Sequence, residues 1–245
     1  MPLPRCRLLP FVVALAPIVV TPLGAFAELG AQVTLVDEGT FSLYVSGERV
    51  GREDFSIRAA PGPGGSAYVA QGNVTIGDDR ITVALNADSA GRPLRFQLEA
   101  LVRDRTVETI SGESRRGLWM GRALRERGES AREFRLPADA IAAVDGVIHH
   151  LWFVVRRGAG STPVLLLPRS LSLREVALED AGADSVSLGL RTFAAHRWVI
   201  RPTDDLASAV EVWTDPLGRL LQVRIPSRDL EARRDEPPAE SSTAR

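Results

Sequence analysis

Histidine is the side chain best suited to proton transfer or metal ligation near neutral pH, and this chain has only three, His149, His150 and His196. His149 and His150 are adjacent, which on a helix sets them about 100° apart, so they cannot grip one ion as an i, i+4 pair would. Read this way, they are partly exposed residues at the border of a helix. The acid pairs Asp78-Asp79 and Asp204-Asp205 fall in turn-like sequence, where carboxylates are solvated. No G-x-S-x-G elbow, H-E-x-x-H helix, phosphate-cradling glycine loop or dinucleotide fingerprint occurs. The residue types therefore predict no catalytic site, no metal site and no cofactor. Large aromatics are the remaining candidates: Trp119, Trp152, Phe153 and Trp213 are expected to wall an apolar ligand site if they do not simply fill the core. A hydrolase or isomerase built on His196 and acids gathered by the fold is a further expectation.

The elements that must position these residues are mostly strands. Phe41, Leu43 and Val45 alternate with polar neighbours up to Gly47-Glu48, which reads as a type II′ hairpin turn, and a parity change near Gly51 predicts a bulge. A meander follows the loop Pro61–Gly65, with turns at Gly77–Asp79 and Asp88–Gly91. Along Leu94, Phe96, Leu98, Ala100 and Val102 the alternation predicts an antiparallel sheet with one dry and one wet face. Around Arg115 to Arg135 arginines interleave with Glu113, Glu126, Glu129 and Glu133, as on a solvated face crossed by ion pairs. Val210–Trp213 and Leu220–Ile225 flank the turn Asp215-Pro-Leu-Gly218 and form a closing hairpin.

One segment departs from this pattern. Ile141, Val144, Ile148, Leu151, Trp152 and Val155 recur at helical spacing, and Gly158 suits a left-handed stop. A helix near 145–157 is predicted. The expected architecture is mainly β: a curved antiparallel sheet, a half-barrel, wrapped around that central helix, with a two-sheet sandwich as the alternative.

Residues 1–27 read as a signal peptide: Arg5 and Arg7 precede an apolar run that ends in Ala25-Phe-Ala27. Residues 28–232 then form a single β-rich domain, and 233–245 form a polar disordered tail. No later segment is apolar enough to span a membrane, and a formal charge of −1 argues against nucleic acid as a partner. All thirty basic residues are arginine, and the lone cysteine, Cys6, lies in the signal. A periplasmic or secreted bacterial protein without disulfides is expected.

The opening Gly39-Thr-Phe-Ser-Leu-Tyr-Val-Ser-Gly-Glu-Arg-Val-Gly51 and the close Val212-Trp-Thr-Asp-Pro-Leu-Gly-Arg-Leu-Leu-Gln-Val-Arg-Ile-Pro226 resemble a broad family of uncharacterised secreted bacterial β-proteins. That family is similar in outline to the periplasmic lipoprotein carriers, half-open barrels that bind acyl chains under a helical lid. The resemblance implies a non-enzymatic binding or carrier module whose partner is an apolar small molecule or lipid. The alternative is a structural module with a solid core that meets another envelope protein.

Overall fold

The computed structural model describes residues 33–62 and 65–239. The proposed signal peptide, with Cys6, lies outside those residues. The chain opens with β1 (Thr34–Val45), β2 (Glu48–Gly62), β3 (Gly65–Ile76), β4 (Asp79–Ala87), β5 (Pro93–Val102), β6 (Arg105–Arg115), β7 (Leu118–Arg125) and β8 (Gly128–Arg135). Each pairs antiparallel with the next. After a short crossing come β9 (Ile141–Ala142), α1 (Leu151–Val155), β10 (Val164–Leu167), β11 (Ser172–Leu188), β12 (Arg191–Pro202), β13 (Val210–Thr214), β14 (Leu220–Ile225) and β15 (Leu230–Arg234). Because β15 pairs with β1, all strands join one 15-stranded sheet that runs from β8 through β1 and β15 to β9. Only the β9–β10 pairing is parallel.

The connection between β8 and β9 forces this sheet to curl. These are its two free edges, yet only five residues, Leu136–Ala140, separate them in sequence. Fifteen strands laid flat at about 4.8 Å spacing would hold the edges roughly 67 Å apart, whereas six extended peptide units reach about 22 Å. The result is a strongly curved, unclosed sheet. Side chains bridge the gap. Glu108 of β6 is buried, accepts from Arg125 at 2.8 Å and forms an ion pair with Arg169 at 2.6 Å. Arg132 of β8 donates to the Leu171 carbonyl, and Leu171 packs against Gly121 of β7.

Alternation separates the faces along β2, β4, β6 and β7 as expected. In β2, Glu53, Phe55 and Ile57 point inward between more exposed neighbours. The first hairpin turns through Ser46 and Gly47, with φ of 52° and 81°, so it is type I′ and not the type II′ turn expected at Gly47-Glu48. Two left-handed residues match the twist of the flanking strands. The bulge expected near Gly51 is present, since Leu43 faces Gly51 while Tyr44 faces Arg49. A second bulge, between Asp180 and Ala183, adds one residue to β11, which brings Val186 and Leu188 to the face of Phe193, opposite in parity to core Ile200. With Ala195, Trp213 and Leu221 these residues form a small cluster separate from the main core.

The helix differs from its prediction. It spans Leu151–Val155 only, not 145–157, and Asp145–His150 forms turns and bends. Gly146 has φ +80°, a left-handed conformation that interrupts helical propagation. Most of the segment is buried all round, Val147 and Ile148 as well as Trp152 to Val155, so its apolar content reflects burial on every side and not one amphipathic face. The last strand also reaches beyond the expected boundary at 232: Arg233 and Arg234 are paired in β15, and Arg234 is buried. Arg234 grips Asp37 of β1 with two bonds of 2.8 and 3.0 Å and donates to the Leu220 carbonyl. Burial holds the Asp37 carboxyl above its ordinary range, against the pull of Arg234.

Candidate functional site

The segment from Ala140 to Val155 is a plug inserted among the inward side chains of the sheet. It starts as β9 on β10, and the Ala143 amide donates to the Leu166 carbonyl. Its middle is hydrogen-bonded to the other half of the sheet through Glu53. One carboxylate oxygen accepts from the Ile148 amide at 2.6 Å, and the other accepts from the His149 amide at 2.9 Å and faces His149 Nδ1 at 2.6 Å. Against an ionised Glu53, which only accepts, Nδ1 is the donor of this contact. Glu53 and His149 are both 0 % exposed.

The β-sheet register shapes this clasp. Phe55, two residues along the inward face from Glu53, stacks on the His149 ring at 5.7 Å and on Phe41 at 5.2 Å. Across from Phe55 in β3 stands Gly72. A Cβ at Gly72 would come within 2.5 Å of His149 Cε1, so the missing side chain is what admits the ring. His150 is also wholly buried, against Phe96 of β5 and the His149 ring. Neither His150 nitrogen, nor His149 Nε2, has a hydrogen-bond partner among the described residues. Burial pushes the His150 imidazole well below its ordinary value of 6.5, and the neighbouring His149 adds to the effect. Both histidines were expected to be partly exposed. The structure corrects this, because the segment is enclosed by the sheet and offers no solvent-facing side there.

The far side of the plug leaves a groove of 290 Å³ against the β10–β14 half of the sheet. Val144, Val147, Ile148 and Leu151 of the plug face Leu165, Val176, Ile200, Val210 and Ile225 across it. Arg174 and Arg228 stand in its lining. Both are half-exposed and carry partners, Asp204 at 3.4 Å for Arg174 and Asp145 for Arg228.

The four aromatic candidates occupy three separate places. Trp152 and Phe153 belong to the plug, where both meet Tyr68 of β3 edge-on, at 5.2 and 6.0 Å, and Arg156 caps the Trp152 ring at 4.3 Å. Trp119 lies over Gly112, where a Cβ would approach its ring to 2.0 Å, and is a core residue of the β6–β7 wing. Trp213 sits in the outer cluster and donates to Asp184 at 2.8 Å. None of the four lines the 290 Å³ groove. His196 pairs with Asp180 at 2.7 Å near the second bulge, apart from the other histidines. No cluster of three or more potential metal ligands occurs among the described residues.

Sequence reasoning missed Glu53, although a signal existed. It shares the parity of Phe55 and Ile57 in β2, so alternation alone places an acid on the dry face. Asp37 likewise shares the parity of Phe41 in β1.

Fold and site together define a class: an open, barrel-like antiparallel meander with part of its own chain set into the concave side. No protein-family model matches the sequence. No curated protein matches it either. Among solved structures, it is similar to a β-barrel-like protein of the domain of unknown function DUF1849 from Brucella abortus. That similarity has a TM-score of 0.52 at 10 % identity and covers 85 % of this chain and 98 % of that one. It establishes a shared fold. A protein with a YmcC-like fold from Bacteroides fragilis overlaps 83 % of this chain and 95 % of its own at 7 % identity, with a TM-score of 0.30. No helix among the described residues is long and apolar enough to cross a membrane.

Proposed function

We propose that this chain is a non-enzymatic binding module of the bacterial periplasm or cell exterior, and that its groove holds the alkyl chain of a small anionic amphiphile. The observation that carries this reading is the groove between plug and sheet. It is walled by aliphatic side chains and carries Arg174, Arg228 and the Arg228 partner Asp145 in its lining. Such a site removes a chain from water while two guanidiniums meet the head group. Its 290 Å³ lies at the lower end of the roughly 300–1,000 Å³ of small-molecule sites, which suits one short chain better than two long ones. Trp152 and Phe153 serve the site from behind, by anchoring the plug that forms one wall.

The test is calorimetry with decanoate and decanol. Saturable binding of both, tighter for decanoate, is expected. A Val210→Trp variant, which fills the groove from β13, should lose both while keeping its melting temperature. Failure of the unaltered protein to bind either compound would overturn the reading. It would favour a solid-cored structural module, a view supported by how much of the trough the plug occupies.

A further inference from the structure

The buried Glu53, His149 and His150 cluster has no place in ligand binding, since all three residues are fully enclosed and none lines the groove. We infer that it is an acid-released latch: the plug is held against β2, β3 and β5 while His150 is neutral, and it lets go when His150 takes a proton. This inference holds whether or not the groove takes a ligand.

Three features carry it. Glu53 is the polar attachment of the plug's middle, with three contacts converging on one carboxylate from residues 95 and 96 positions away. His150 stands beside that attachment with both nitrogens unpartnered among the described residues, walled by Phe96 and by the His149 ring at 4.5 Å. A proton on His150 would therefore have no acceptor among the described residues, and a buried unpaired charge is among the costliest states a core can hold. The charged or titratable groups in this cluster are His149 on the plug itself and Glu53 on β2. β3 offers Gly72 at His149, and β5 offers the apolar Phe96. Both Glu53 oxygens are engaged by His149 and the two amides, and neither contacts a His150 nitrogen.

The direction follows from linkage. The released segment binds a proton at the ordinary histidine value near 6.5, while the latched form resists it. The proton on His150 alone therefore gives the released plug a gain of about tenfold on the latched plug for each pH unit below roughly 6.5, and this contribution is constant above that value. The chain's other histidine, His196, is half-exposed beside Asp180 and does not take part.

Hydrogen exchange followed by mass spectrometry on the full chain, corrected for intrinsic exchange, tests the latch between pH 7.5 and 5. Peptides covering 147–155 should open about tenfold more per pH unit below 6.5, and the central strands should not. His150→Phe should flatten the slope, and His196→Asn should keep it. A flat profile in the unaltered protein, or an unchanged slope in His150→Phe, would overturn the inference. Should His150→Phe fail to fold, NMR of the three imidazoles decides: His150 titrating only together with release of the plug supports the latch, and titration near 6.5 within the closed structure refutes it.

Discussion

Replacing Glu53 by glutamine changes a single oxygen into an NH2 group and isolates the worth of the clasp. In the native arrangement one oxygen serves the Ile148 amide and the other serves the His149 amide and Nδ1. The glutamine oxygen can retain the two His149 contacts. Its NH2 then confronts the Ile148 N–H, which leaves two buried donors without acceptors. At about 1–3 kcal/mol for each unsatisfied buried group, the expected loss is about 2–6 kcal/mol. A domain is stable by only about 5–15 kcal/mol, so the effect is large. Urea unfolding followed by tryptophan fluorescence measures it, with Trp152 reporting on the plug. Arg122→Gln, which breaks an exposed pair with Glu129, is the control and should leave the midpoint in place. A Glu53→Gln loss below about 0.5 kcal/mol would refute the argument, because no clasp of three buried contacts could then exist.

Three further outcomes follow from the packing and the groove. Gly72→Ala places a methyl group 2.5 Å from His149 Cε1 and should cost about 1–3 kcal/mol through displacement of the ring, read by thermal melting. Asp37→Leu alone leaves Arg234 buried without its partner and should cost about 3–5 kcal/mol, whereas Asp37→Leu with Arg234→Met should recover most of that loss in a double-mutant cycle. Replacing Arg174 and Arg228 together by glutamine should erase the preference for decanoate over decanol in calorimetry while decanol still binds; an undiminished preference would remove both arginines from head-group recognition.

Much of the sheet was legible because strand alternation is a local signal. Phe96, Leu98 and Ala100 announce an inward face within five residues, and Asp215-Pro-Leu-Gly218 announces its own turn, where Gly218 adopts φ +78°. The joining of β1 to β15 was not legible, since it depends on pairing Phe41 with Arg234 across nearly the whole chain. The plug misled for a different reason. Helical spacing in Ile141–Val155 satisfies a periodicity template, but a segment enclosed on all sides has no polar face for the template to test. Gly146, at φ +80°, lies inside the expected helix in a left-handed conformation that helical spacing alone does not register. The histidines were misplaced because exposure was inferred from a helix that does not form at 149 and 150. Their partner is also remote in sequence: Glu53 looks like one more acid in Arg52-Glu-Asp54 unless its parity with Phe55 is weighed more heavily than its charge.

The placement of the plug in the concave side underlies both the groove and the latch, and one NMR measurement reaches it directly. With three histidines in the chain, the His149 ring proton on Cε1 can be assigned, and the structure sets that carbon against the Gly72 backbone. A strong nuclear Overhauser effect between His149 Hε1 and the Gly72 α protons is expected at neutral pH. Its absence, with His149 shifts typical of an exposed imidazole, would contradict a buried plug.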